Sequence, residues 1–169
     1  MKTLVAVLTA ALLTLLPSCA SAAAAPSSCA TAWGSELEHV ASGGGGEVQR
    51  VRTAADTCWD RVVIDMAGPA TSPAGYHVGY VDEVRQEGSG AVVPVPGAAE
   101  LQVSLLNPVS PTFDAPGAVD GYPTLRSVVY TGAFEGLGMG IGVRERLPFR
   151  VFTLSGPDRI VIDIAHRWS

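Results

Sequence analysis

The sequence predicts an all-β domain, built as a sandwich or a partly open barrel. Three observations carry that prediction. From Glu47 onward, short runs rich in Val, Ile, Tyr and Phe alternate with Gly and Pro turn signals. No stretch of about 10–15 residues keeps a helical period there, which argues against a layout of strands alternating with helices. Finally, one strand pattern occurs twice: Asp60-Arg61-Val62-Val63-Ile64-Asp65 returns as Asp158-Arg159-Ile160-Val161-Ile162-Asp163.

The runs place strands at 47–53, 59–66, 77–85, 91–95, 100–106, 126–134, 137–144, 149–154 and 158–165. Gln86-Glu87-Gly88-Ser89-Gly90 and Ser155-Gly156-Pro157 read as hairpin turns. In the repeated pattern, period two sets Arg61, Val63 and Asp65 on one face and Val62, Ile64 and Met66 on the other. Arg159, Val161 and Asp163 oppose Ile160, Ile162 and Ile164 in the same way. The repeat suits a sandwich with approximate two-fold symmetry, one copy in each half. Segment 107–123 carries Pro108, Pro111, Pro116 and Pro123 and is the one long irregular stretch, to be read equally as functional or as disordered.

The first residues read differently. Lys2 precedes an apolar run from Leu4 to Leu16, and small residues follow. That is the pattern of a secretory signal, and the run is shorter than the roughly 20 residues needed to span a bilayer. Residues 1–24 are therefore expected to be a signal peptide, 25–46 a linker and disulfide-tethered segment, and 47–169 the β domain. Leu16-Pro17-Ser18-Cys19 offers a lipobox with a poorly fitting proline, so Cys19 is a candidate for lipidation. Ordinary cleavage after Ala22 or Ala24, which discards Cys19, is the favoured alternative. Cys29 and Cys58 remain in both cases and are expected to pair in an oxidising compartment. A loop of about 29 residues closed this way stabilises by roughly 3–4 kcal/mol. One helical turn is expected over 29–40, with Trp33, Leu37 and Ala41 on one side, before the four glycines from Gly43 to Gly46 break the chain.

The formal net charge is −5. Loss of Lys2, the only lysine, makes the remaining chain more acidic still. That balance argues against a nucleic-acid binder and against a polybasic membrane-surface protein. His39, His77 and His166 lie far apart in sequence, and no zinc-ligand spacing occurs, so no metal or cofactor is expected. Ser89 in Gly88-Ser89-Gly90 lacks the strand–turn–helix context of a nucleophile elbow. Asp65 and Asp163 end matching strands and would be the carboxylate pair of a hydrolase if they met. Neighbouring Arg61 and Arg159 supply simple ion pairing instead, so no catalytic residue is assigned.

Two features point to binding. Gly136-Leu137-Gly138-Met139-Gly140-Ile141-Gly142-Val143 puts large residues on one face of a strand and bare glycines on the other. Its spacing is not that of a dinucleotide loop, and no helix follows. The glycine face implies either close packing beside a bulky side chain such as Trp59 or Tyr130, the favoured reading, or a smooth floor for a sugar ring at Gly138 and Gly140. Tyr76, Tyr80 and Trp168 are either ordinary sheet packing or stacking residues for a glycan. Tyr76 and Tyr80, four apart, share a strand face.

The run Cys58-Trp59-Asp60-Arg61-Val62-Val63-Ile64-Asp65 resembles the start of the AMIN-like domain of actinobacterial secreted proteins and lipoproteins. Further resemblance lies in Gly75-Tyr76-His77-Val78-Gly79-Tyr80-Val81, Gly88-Ser89-Gly90, Phe134-Glu135-Gly136, Leu147-Pro148-Phe149-Arg150-Val151-Phe152 and the segment from Pro157 to His166. The resemblance covers roughly residues 47–167. It implies a small two-sheet β-sandwich and a role at the cell envelope, because AMIN domains direct envelope proteins to peptidoglycan. Within residues 1–169 no amidase or secretin segment is expected beside the domain. The expected function is that of a secreted, non-catalytic envelope module binding peptidoglycan or another cell-wall glycan. The alternatives are a protein-interaction module of an envelope complex, working by strand addition, and a small hydrolase.

Overall fold

A computed structural model of the chain describes residues 29–41, 46–68 and 74–168. The expected signal peptide, Cys19 and the glycine run from Gly43 to Gly45 lie outside the described residues. Ten strands follow in order: β1 (Glu38–Val40), β2 (Glu47–Ala55), β3 (Trp59–Ala67), β4 (Tyr76–Val81), β5 (Ala99–Leu105), β6 (Gly117–Ala118), β7 (Leu125–Gly132), β8 (Leu137–Val143), β9 (Phe149–Leu154) and β10 (Arg159–Ala165). They form two antiparallel sheets, a six-stranded one ordered β1-β4-β5-β8-β7-β6 and a four-stranded one ordered β2-β3-β10-β9. No helix occurs among the described residues. The fold is an all-β sandwich.

Alternation builds the core. In β5, Leu101, Val103 and Leu105 point inward and are buried, while Gln102 and Ser104 face out. In β3, Val62, Ile64 and Met66 point inward against Ile160, Ile162 and Ile164 of β10 and the central Phe149. Complete burial of such a Leu, Ile or Phe stabilises by about 1.5–3 kcal/mol relative to exposure. Every residue of β8 is enclosed, the outward glycines included, a sign that its outer face is covered as well.

The repeated pattern does not divide between the two halves of the sandwich. Its copies are neighbours in the four-stranded sheet. They run antiparallel, with Val63 opposite Val161 at the centre, Arg61 opposite Asp163 on one side and Asp65 opposite Arg159 on the other. The local two-fold therefore passes through one sheet, because antiparallel pairing sets the Arg of each copy against the distal Asp of the other.

Four predicted elements change; the strand expected over 77–85 stops at Val81, the end of β4. The expected helical turn over 29–40 is extended chain ending in β1, which pairs Glu38 with Val78, His39 with His77 and Val40 with Tyr76. A four-residue spacing such as Leu37 to Ala41 fits period two as well as a helical turn, and sheet pairing decides between them. Segment 91–95 is not a strand. Pro94 and Pro96 remove ladder donors, and the segment makes one isolated bridge, Arg85 to Val92, before crossing the outer face of β8. Segment 107–123 contains the short β6 and covers the edge of β2. There, Val48 N donates to Pro108 O at 2.8 Å and Ser110 N donates to Val48 O at 2.9 Å. Tyr122 secures its far end by donating its hydroxyl to Thr53 Oγ1 at 2.7 Å.

The Cys29–Cys58 disulfide is present, with Cα atoms 5.2 Å apart. It starts a strap that runs from Cys29 into β1 along the edge of β9. Phe149 N donates to Gly34 O at 2.8 Å, and the Arg146 guanidinium donates to Ser35 O at 3.0 Å. The strap thus links the edge of one sheet to the edge of the other.

Candidate functional site

Side chains on the outer face of the six-stranded sheet are covered at one end and open at the other. Over β8 the chain from Val84 to Pro96 lies directly on the glycines. A Cβ at Gly140 would stand 2.5 Å from Val95 Cγ2, one at Gly138 2.5 Å from Thr131 Oγ1, and one at Gly142 2.0 Å from Pro96 O. The glycine stripe is close packing, against Val84, Val95, Thr131 and Pro96 rather than the Trp59 or Tyr130 expected. The floor proposed for a sugar at Gly138 and Gly140 is already occupied.

Over β1, β4 and β5 the same face is open and forms a groove of about 830 Å³. That volume lies within the range of small-molecule sites. The pairing register explains its lining. His39 is opposite His77, and His77 is opposite Ser104, so these three form one outward row. Gly79 is opposite Gln102 in the next row. Leu37 lies over Gly79, where an added Cβ would come within 2.9 Å of its Cδ1. Leu37, Val40, Val81 and Leu106 are exposed apolar walls. Gln102 Oε1 accepts from Arg85 N at 3.1 Å, which fixes its amide and leaves the NH₂ as donor. Past Tyr80, Val81 and Arg146 the groove continues into a second hollow of about 550 Å³, lined also by Asp82 and Glu100.

Tyr76 and Tyr80 share a face, as expected, but it is the inner one. Tyr76 is 9% exposed and donates to Val151 O at 3.2 Å. Tyr80 donates to Leu147 O and accepts from Leu147 N, both at 2.9 Å, with its ring edge-on to Phe149 at 5.7 Å. Burial pushes both phenols above their ordinary pKa; the bond to Leu147 O opposes this at Tyr80. The Arg146 guanidinium lies 5.1 Å from the centre of the Tyr80 ring. Trp168, 54% exposed, donates its indole N–H to Arg146 O at 3.1 Å. Tyr80 and Trp168 thus flank the arginine between the two hollows, and Tyr76 supports the groove from below.

The carboxylates considered for hydrolysis do not meet. Asp65 is bound by Arg52 (Nε 2.8 Å, Nη2 3.1 Å) and by Arg50 Nε at 2.8 Å. Asp163, fully buried, is bound by Arg61 at 2.6 and 2.9 Å and by Arg150 at 3.0 and 2.8 Å. The hydrogen bond from Arg52, reinforced by Arg50, holds the Asp65 carboxyl below its ordinary pKa against the opposing effect of burial. These groups occupy opposite ends of the β3–β10 pair. His166 Nε2 lies 2.9 Å from Asp60 Oδ1, whose partner oxygen accepts from Thr124 N and Leu125 N at 2.7 and 2.8 Å. Ser89 Oγ is engaged with Gln86 Oε1 at 2.8 Å. Among the described residues no cluster of three or more potential metal ligands occurs, and no helix is long and apolar enough to cross a membrane.

Sequence reading missed Leu37, His39, His77, Gln102, Ser104, Leu106 and Arg146 as groove residues. The polar alternation of Gln102 and Ser104 between Leu101, Val103 and Leu105 marks an outward face. Which part of that face a distant loop leaves open is not encoded locally. No curated protein and no solved structure matches the chain. The family model of the AMIN-like domain matches residues 46–166, from the residue before β2 to the residue after β10, and so the chain belongs to the AMIN-like domain family.

Proposed function

We propose that this AMIN-like domain is a non-catalytic module of the cell envelope, exported by residues 1–24, that binds peptidoglycan or another cell-wall glycan in the groove over β1, β4 and β5. The groove itself carries the reading. Its outward row of His39, His77 and Ser104, with Gln102 beside it, supplies donors and acceptors for hydroxyls, and Leu37, Val81 and Leu106 supply apolar surface for a ring face. Family membership is consistent with an envelope-binding module. The disulfide suits an oxidising, extracytoplasmic compartment. In this reading Tyr80 and Trp168 act by holding Arg146 at the end of the groove, and Tyr76 by supporting its floor. Co-sedimentation of the disulfide-intact protein with purified cell wall tests it. Enrichment over an unrelated protein of equal charge, reduced about tenfold by His77→Ala with Gln102→Ala, is the expected result; no enrichment refutes it. An N-terminal mass measurement decides whether Cys19 is lipidated or removed.

A second reading has one observation in its favour: β1 is an outermost strand of the six-stranded sheet, so its far edge has no strand partner and offers a place for strand addition by an envelope protein. Recovery of a protein partner from wall-free extract, lost when Val40 is replaced by proline, would support it over glycan binding.

A further inference from the structure

The outer face of the four-stranded sheet has a chemistry that glycan binding in the groove does not use. It collects Arg50, Arg52, Arg61, Arg150 and Arg159, five of the ten arginines in the chain. The acidic residues of this face are Glu47, Asp65 and Asp163 at outward register positions and the exposed Asp56 of the β2–β3 turn, whose charge acts on Arg61. This face is thus net positive in a chain whose net charge is −5. The vertical arrangement sharpens the contrast. The Asp163 and Asp65 side chains are 0% and 14% exposed, whereas those of Arg50 and Arg52 are 68% and 43% exposed. The two arginine-bound carboxylates lie beneath the guanidiniums, so the solvent side of these ion pairs is cationic.

The register organises the arginines into two clusters. Arg50 and Arg159 flank Asp65 in one cross-strand row, with Arg52 also bound to Asp65. Arg61 and Arg150 flank Asp163 in the other. Rows four residues apart along a strand are separated by roughly 13 Å. Each carboxylate holds like-charged groups side by side; at Asp65 positive charge is left uncompensated, and at Asp163 the exposed Asp56 also faces Arg61. Aromatic rings support the second cluster: the Arg150 guanidinium lies 4.4 Å from the Trp33 ring centre and 5.0 Å from that of Phe152.

We propose that this face binds a polyol-phosphate polymer, a chain of phosphodiesters, as a surface separate from the glycan groove. Charge complementarity selects an anion. Two clusters too far apart for one small ion select a polymer. Phosphate fits better than carboxylate, because the forks of Arg52 and Arg61 are already filled by Asp65 and Asp163. The remaining donors come from separate strands. Arg50 gives only its Nε to Asp65, and Arg159 gives only its Nε, to Pro157 O, at 3.2 Å. Donors arriving from different directions suit tetrahedral oxygens rather than a single planar fork. A bilayer is disfavoured, since among the described residues Leu154 is the one exposed large aliphatic side chain on this face.

The test is fluorescence anisotropy of end-labelled poly(glycerol phosphate) titrated with disulfide-intact protein at 50 and 200 mM salt. Binding should weaken about tenfold in Arg50→Gln with Arg159→Gln, and the salt slope should drop by about 1.4, near 0.7 for each charge removed. Arg85→Gln, which removes an exposed arginine away from this face, should leave affinity unchanged. If the double variant has an altered denaturation midpoint, Arg159→Gln alone, which breaks no carboxylate bond, gives the reading through half the slope change. Undetectable wild-type binding, an equal loss in Arg85→Gln, tighter binding to poly-glutamate, or binding to phosphatidylglycerol vesicles without binding to the soluble polymer would each overturn the proposal. None of these results bears on the groove, whose own variants lie on the other sheet.

Discussion

Replacing Asp60 by alanine should cost about 3–5 kcal/mol of stability. Asp60 is fully buried on β3, yet its Oδ2 reaches across the sandwich to accept from the backbone N–H groups of Thr124 and Leu125, at 2.7 and 2.8 Å. Both of those residues are also fully buried. In Asp60→Ala the two donors lose their acceptor and no solvent replaces it. A buried donor left unsatisfied costs about 1–3 kcal/mol, and the bond to His166 is lost as well. Asp60→Asn keeps one carbonyl oxygen for the backbone donors and an NH₂ that His166 can accept from, so its loss should be about 1 kcal/mol. His166→Ala leaves Oδ2 and both backbone bonds intact and should cost about 1–2 kcal/mol. Equilibrium unfolding in urea with the disulfide intact reads all three, with the slope checked for constancy. An Asp60→Ala loss below about 1 kcal/mol, or an His166→Ala loss equal to it, would refute the reasoning that the backbone donors dominate.

Serine at both Cys29 and Cys58 should lower stability by roughly 3–4 kcal/mol from the entropy of a loop spanning 29 residues, read as a shifted urea midpoint. Gly142→Ala forces a Cβ within 2.0 Å of Pro96 O and 2.5 Å of Ser127 Oγ, and should cost about 2–3 kcal/mol by unfolding. Gly90→Ala meets open space at φ +69° and should cost only about 1 kcal/mol, from backbone strain alone. The depressed pKa of Asp65 gives the pH dependence its sign. Stabilisation by its arginines is complete above the ordinary carboxylate pKa of about 3.9 and is lost as pH falls through the lower folded value. The stability gap between wild type and Asp65→Asn should therefore be flat at neutral pH and close below about pH 4; a gap that widens on acidification contradicts the pairing.

Period-two patterns made the strands legible wherever one face is buried and the other wet. β3, β5 and β10 stand within two residues of their predicted bounds because Val62, Ile64, Leu101, Val103, Ile160 and Ile162 alternate with polar neighbours or fall in β-branched runs. β1 was not legible, because Glu38-His39-Val40 has no pattern of its own and becomes a strand only by pairing with β4. The glycine stripe of β8 was legible as a close approach, but its partners were not. Val84, Val95 and Pro96 arrive from a segment some 45 residues earlier, and nothing in 136–143 names them. The groove was hidden for the same reason. His77, Gly79, Gln102 and Ser104 are recognisable as outward residues, yet their openness depends on where the 82–98 chain stops covering the sheet. In sequence Tyr76 and Tyr80 have the look of flat surfaces for a ligand; in the fold their hydroxyls close the gap between the sheets.

The strap from Cys29 to β1 has a consequence for how the molecule comes together. Its backbone partner at Gly34 is Phe149, and β3 finds its second neighbour in β10, nearly a hundred residues downstream. As the chain lengthens from its amino end, β1 can pair with β4 and β2 with β3, but Gly34 and the second edge of β3 stay without their partners until the final hairpin of β9 and β10 is made. Completion of the four-stranded sheet must wait for the last part synthesised, which places this domain among the slower-folding topologies rich in distant pairings. During that wait the apolar β3 stretch Val62-Val63-Ile64 lacks its β10 neighbour and presents an unpaired edge, the kind of surface through which incomplete chains aggregate.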